Sequence, residues 1–150
     1  MLDKDIKSYN DNGQPHGYWE IYHFNKKLWY KGNFKDGNRQ GYWVSYFSNG
    51  KLSHKGNYKD GKQQGYWESY HLNGTLWYKK YYKDGLKHGY WESYYSNGNL
   101  SYKGHYKDGN PHGYFEYYYS KGQLISKGNL KNGNKIGLWI QNDKEHYYAK

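Results

Sequence analysis

A glycine followed by two bulky residues returns six times, each 24 positions after the last: Gly17-Tyr18-Trp19, Gly41-Tyr42-Trp43, Gly65-Tyr66-Trp67, Gly89-Tyr90-Trp91, Gly113-Tyr114-Phe115 and Gly137-Leu138-Trp139. A fixed period of this length means one supersecondary unit stacked on copies of itself, each too small to bury its apolar face alone. It constrains function as well as fold. A ladder of identical groups presents a long ligand surface, whereas a single catalytic constellation would break the pattern, so binding rather than catalysis is the starting expectation.

The unit from Gly89 to His112 reads GYWESYYSNGNLSYKGHYKDGNPH. Asn97-Gly98 and Asp108-Gly109 are turn signals half a period apart, and Asn-Gly is the strongest short hairpin signal because a type I′ turn needs positive φ at both central residues. Between them lie strand-length segments rich in Tyr and Trp. If Asn97 and Gly98 are the two turn residues, every cross-strand pair is fixed. Tyr95 then meets Leu100, Ser93 meets Tyr102, Trp91 meets Gly104 and Glu92 meets Lys103. The same register pairs Glu20 with Lys31, Glu68 with Lys79 and Glu116 with Lys127, while the second unit has Val44 opposite Lys55.

Glycine recurs opposite the large ring as Gly32, Gly56, Gly104 and Gly128, where a missing side chain lets an indole lie across the neighbouring backbone. Lys80 replaces it opposite Trp67, and that ring is expected to be displaced. The link after Asp-Gly carries Pro15 and Pro111, which cannot donate a ladder hydrogen bond, so a looser loop is expected there. The expected fold is all-β: an elongated single-layer antiparallel meander of about six 24-residue hairpins over residues 12–140. The whole chain, 1–150, forms one repeat domain, with 1–11 and 141–150 as caps or frayed ends.

Composition fits a thin sheet. Mean hydropathy is −1.41 and aromatic residues make up 23% of the chain, with 23 Tyr and 7 Trp. Apolar area must therefore come from rings that bury a large body and leave a polar tip wet. Formal net charge is +10, which favours acidic partners, although Arg39 is the only arginine, and arginine is the side chain suited to bidentate phosphate and base recognition. Cysteine is absent, which excludes disulfides and thiolate metal sites. No apolar leader or membrane-length apolar run is evident, and a cytoplasmic protein is expected.

The run Gly-Tyr-x-x-x-Tyr, then Asn-Gly, then Lys-Gly-x-Tyr-x-Asp-Gly, then His-Gly resembles MORN repeats (membrane occupation and recognition nexus) over about residues 12–140. The 24-residue spacing, one longer than the usual unit, and the Trp or Phe two positions after the first Gly resemble the MORN-variant repeats of bacterial proteins classed as antitoxins of toxin–antitoxin pairs. The resemblance implies a single-layer sheet used as an interaction platform.

No enzyme is expected, and no metal or cofactor is called for. His88 and His112 occupy equivalent positions about 10 Å apart by strand spacing, too far for one zinc ion. Asp36, Asp60, Asp84 and Asp108 all precede Gly, which is turn chemistry. Two ladders remain as candidate sites. Trp19, Trp43, Trp67, Trp91, Phe115 and Trp139 form an aromatic face for a protein partner, preferably one with an acidic surface, in an antitoxin or immunity-type role. Tyr90 and Tyr94, with their equivalents, offer contacts on the opposite face. Lys35, Lys59, Lys83, Lys107 and Lys131 line one edge and suit the alternative, an anionic ligand such as nucleic acid, nucleotides or acidic lipid headgroups. A spacer that self-associates through its end strands is a third reading.

Overall fold

The computed structural model describes residues 4–149. These form one open antiparallel sheet of thirteen strands: β1 (Gly17–Tyr22), β2 (Leu28–Lys35), β3 (Asn38–Tyr46), β4 (Leu52–Lys59), β5 (Lys62–Tyr70), β6 (Leu76–Lys83), β7 (Leu86–Lys87), β8 (Gly89–Tyr94), β9 (Leu100–Lys107), β10 (Asn110–Tyr118), β11 (Leu124–Lys131), β12 (Asn134–Gln141) and β13 (Lys144–Tyr148). Strand order follows chain order throughout, with the two-residue β7 paired to β6 alone. The chain is all-β, a meander of about 24 residues per repeat with no helix among the described residues.

The two turn types are the reverse of the expected ones. Asp108 (φ 49) and Gly109 (φ 90) are both left-handed, as are their counterparts from Asp36 to Asn132, so the tight two-residue type I′ hairpin is the Asp-Gly one. Its strands resume at once, with Lys107 opposite Asn110 and Pro111 opposite Tyr106 inside β10, so no loose loop exists there. At Asn97-Gly98 only the glycine is left-handed (φ 88). The Gly98 amide donates to Tyr95 O at 2.9 Å and the Tyr95 amide to Asn99 O at 2.8 Å, a three-residue loop with a bulge. Asparagine is chosen there for its side chain: Asn97 Nδ2 donates to Ser120 O of the next unit at 2.8 Å and Asn73 Nδ2 to Ser96 O at 2.8 Å.

The longer loop shifts the register beyond it. Ser93 meets Tyr102 as expected, but Tyr94 rather than Tyr95 meets Leu100. Further along, the Trp91–Gly104 and Glu92–Lys103 pairs hold. A second irregularity, between Pro111 and Phe115, inserts two extra residues around Gly113 (φ 100). Because two is the strand period, every repeat keeps the same faces.

The described parts of the terminal segments lie along the end strands. Ile6 bridges Glu20, Tyr9 bridges Pro15, and the Tyr9 ring stands edge-on to Trp19 at 5.2 Å. At the far end, Asn142 and Asp143 turn β13 back onto β12. Residues 1–3 and 150 of the expected caps lie outside the described residues.

The bed for each large ring is the glycine of the preceding unit, not the one across its own hairpin. A Cβ added at Gly56 would sit 2.3 Å from Trp67, at Gly32 2.3 Å from Trp43, at Gly104 2.3 Å from Phe115 and at Gly128 2.4 Å from Trp139. Each indole is pinned as well. Nε1 of Trp43, Trp67, Trp91 and Trp139 donates to the carbonyl oxygen ten residues earlier, at 2.9 to 3.1 Å. Lys80 therefore disturbs Trp91, whose ring its ammonium overlies at 4.6 Å, and leaves Trp67 seated. Around it the usual nine-residue strand breaks into β7 and β8 at His88.

Burial, and then the charge of Lys87, pull the Lys80 ammonium down from 10.5 to about 8. The unfolded chain holds this proton up to the higher value and the folded chain releases it near the lower one, so stability rises with pH across that window. Tyrosine ionisation in the unfolded chain opposes this contribution from about pH 9 upward, since ten phenols are raised in the fold, Tyr82 to about 12 by burial. Discounted for the half-exposed ammonium, the contribution of Lys80 alone from pH 8 to 10 is a gain of about 1 to 2 kcal/mol. Chemical denaturation should show the stability difference between parent and Lys80→Met moving in the parent's favour by this amount from pH 8 to 10, the tyrosine contribution being common to both; a difference that does not change with pH would contradict the assignment.

Candidate functional site

Alternation along each strand puts the Trp residues and their Tyr neighbours on opposite faces. The structure places Trp19, Trp43, Trp67, Trp91, Phe115 and Trp139 in the interior, 0 to 8% exposed. Trp43, Trp67, Phe115 and Trp139 lie on a glycine of the preceding unit, and neighbouring rings pack against them, as Trp67 has the Tyr58 ring at 4.9 Å and 79°. Such a row has no ring face free for a partner; it does the work of a core in a chain short of aliphatic residues.

The open aromatic row is the other one. Tyr18, Tyr42, Tyr66, Tyr90 and Tyr114 are 39 to 59% exposed, with Leu138 continuing the line. They recur every second strand, about 10 Å apart. Between them runs an unbroken cross-strand row: Glu20, Lys31, Val44, Lys55, Glu68, Lys79, Glu92, Lys103, Glu116, Lys127, Ile140 and Glu145 are successive register partners.

This row holds the tyrosines in place. The Tyr70 hydroxyl donates to Glu68 at 2.7 Å and the Lys55 ammonium reaches the same carboxylate at 3.1 Å. Glu116 accepts from the Tyr118 hydroxyl and pairs with Lys103 at 2.9 Å. Both ion pairs therefore cross to the next repeat rather than closing within one hairpin, where the sequence reading put them. Hydrogen bonding from Tyr70 is the main reason the Glu68 carboxyl sits below its usual range. Burial works to raise Glu116, and the Tyr118 and Lys103 donors together outweigh it. On the phenol side, the Glu20 hydrogen bond pushes Tyr18 up to about 12, and burial followed by the Glu92 bond does the same for Tyr94. These hydroxyls are thus protonated donors at neutral pH.

Lys35, Lys59, Lys83, Lys107 and Lys131 are all exposed, each ending a strand beside the type I′ turn. No ion pair engages them among the described residues. Turn amides brace this edge: Gly61 N donates to Arg39 O at 2.9 Å, and Asp60 N to Gln40 Oε1 at 2.8 Å, tying each turn to the unit before it.

Two surface aromatics stand outside the GYW phase and were missed in the sequence reading. Trp29 and Trp77 are each 48% exposed, and stand 5.3 Å from His23 and 5.6 Å from His71. Nε2 of His23 lies 2.9 Å from Tyr46 O and that of His71 2.8 Å from Tyr94 O. Phe24 and Leu72 protrude from the adjacent turns. The signal was available: His and Trp recur together at twice the repeat period, where other units carry Ser or Ile at the Trp position.

No group of three or more His, Asp or Glu residues that could hold a metal ion occurs among the described residues. A family model described as the MORN repeat variant matches residues 15–36, 39–60, 63–84, 87–108 and 111–132 in succession. The chain belongs to the MORN repeat variant family. MORN repeats are typically binding modules. Solved structures similar to this MORN chain include TarM, at 13% identity and a TM-score of 0.22 over 97% of this chain and 21% of that one. Another is an S. aureus TarM mutant in complex with fondaparinux, alpha-GlcNAc-glycerol and UDP, at 13% identity and 0.20 over 97% and 22%. The chain spans about a fifth of the length of those structures. No curated protein matches it.

Proposed function

We propose that this MORN-repeat chain is a non-enzymatic platform that holds a protein with an acidic surface across the face bearing Tyr18, Tyr42, Tyr66, Tyr90 and Tyr114. The observation that carries this reading is the exposure of a rigidly spaced tyrosine row on one face, while the tryptophan row on the other is buried. Tyrosine is favoured at interfaces because it offers a large contact area, a polar tip and few rotamers to freeze. A net charge of +10 supplies long-range attraction for an acidic partner. The Asp-Gly turn carboxylates and the Glu column repeat with the unit, and no group of three or more His, Asp or Glu converges on one point among the described residues, which supports binding over catalysis. Resemblance to antitoxin-type repeats adds a toxin to the partners to be tested, but a basic nuclease toxin would be repelled.

The exposed row of Lys35, Lys59, Lys83, Lys107 and Lys131 supports the second reading, an anionic polymer or lipid held along the turn edge. Salt separates the two. A protein recovered by cross-linked capture from the native cell and then purified should bind with an affinity that falls less than about tenfold between 50 and 200 mM salt. A fall of about 10³-fold or more, the behaviour of a ligand displacing many counterions, would favour the polyanion.

A further inference from the structure

The acid–base row across the tyrosine face has one position where two lysines flank an apolar residue. Lys31 and Lys55 are both register partners of Val44, whereas in the next three units the same position is Glu68, Glu92 or Glu116. Around those glutamates the sheet supplies lysine and tyrosine donors to the carboxylate. Around Val44 the donors are present without the acceptor. Lys55 turns away to Glu68 at 3.1 Å. Glu20, the other neighbour of Lys31, accepts from the Tyr18 and Tyr22 hydroxyls, one on each oxygen, and forms no ion pair with Lys31. Among the described residues, the Lys31 ammonium and the Tyr42 and Tyr46 hydroxyls have no hydrogen-bond partner. The smaller side chain also leaves room: a recess of about 250 Å³ is lined by Tyr18, Lys31, Gly32, Asn33, Tyr42 and Val44.

We infer that this recess is a carboxylate site, filled by an aspartate or glutamate side chain that the partner protein inserts between Tyr18 and Tyr42 to meet Lys31. The ligand class follows from the sheet's own chemistry, since the neighbouring repeats show which group these donors accept. An apolar floor and two aromatic walls suit an acidic side chain with its methylenes better than a fully hydrated inorganic anion. The site rests on the proposed binding face and narrows it to the first two repeats.

The test uses acetylated hexaglutamate as the probe, titrated into the isotope-labelled chain by NMR, with inorganic phosphate in parallel. Saturable shifts are expected at Lys31, Gly32, Asn33 and Val44. Val44→Glu, which supplies the carboxylate in cis as the next three repeats do, should weaken probe binding at least tenfold while keeping the parent spectrum elsewhere; Lys31→Gln should act in the same direction. Shifts spread evenly over all lysines, binding unchanged in Val44→Glu, or phosphate binding the recess as well as the peptide would each overturn the assignment. Loss of the site with tyrosine-dependent partner binding intact would remove this inference alone. A peptide seated in the recess of a chain whose partner ignores the tyrosine row would instead remove the proposed function.

Discussion

Gly56→Val should lower the stability of the sheet by about 3 kcal/mol, the upper part of the overpacking range, and the melting temperature by roughly 6 to 12 °C. A Cβ at Gly56 falls 2.3 Å from Cδ2 and Cε2 of Trp67. The ring has little freedom to retreat, because Nε1 is tied to Asn57 O at 3.0 Å and the Tyr58 edge stands at 4.9 Å. Lys80 shows how the fold responds when this position does carry a side chain. Trp91 stays buried, but it meets Tyr82 at 5.6 Å and 59°, and its own strand is interrupted at His88. A branched valine lacks the flexible stem that lets Lys80 turn its ammonium over the Tyr78 and Trp91 rings. Thermal denaturation checks this directly, and an unchanged midpoint would mean that the indole does not rest on this glycine.

Replacing Tyr42, Tyr66 and Tyr90 together with Ser should weaken partner binding by about 100-fold or more, that is about 3 kcal/mol or above, because interface energy concentrates in a few aromatic anchors. The cost to folding should be much smaller. These rings are half exposed, and they touch surface neighbours such as Tyr81 at 5.0 Å from Tyr66 and His105 at 5.4 Å from Tyr90.

The repeat, the strand count per unit and the pairing of Trp91 with Gly104 could be read from the sequence because period, turn residues and volume complementarity point the same way. The turn types could not. Asn-Gly carries the stronger hairpin statistics, yet Asn97 serves as a side-chain donor to Ser120 O, and it is Asp108 that tolerates the left-handed backbone. That exchange moved the tip of one hairpin by a residue and hid the two-residue insertion at Gly113. It also obscured which ring lies over which glycine, since a register names the residue opposite but not the direction in which an indole leans. The burial of the tryptophan row was hidden for a related reason. A Trp row on a single-layer sheet looks uncovered until the glycine beds and the flanking Phe34 and Tyr58 edges are seen to enclose it. Pocket shape was beyond reach as well: Val44 opposite Lys55 was visible, but the idle donors around it were not.

The central claim is a division of labour between faces, with tryptophan on glycine holding the sheet and tyrosine meeting the partner. Its most direct test measures the partner's dissociation constant and the melting temperature of the triple variant Tyr42→Ser, Tyr66→Ser, Tyr90→Ser beside those of Gly56→Val. The account predicts that the tyrosine variant loses binding by about 100-fold or more and melts within a few degrees of the parent, whereas Gly56→Val melts markedly lower and, below its melting temperature, binds within about threefold of the parent. A folded tyrosine variant that binds its partner as the parent does would contradict it.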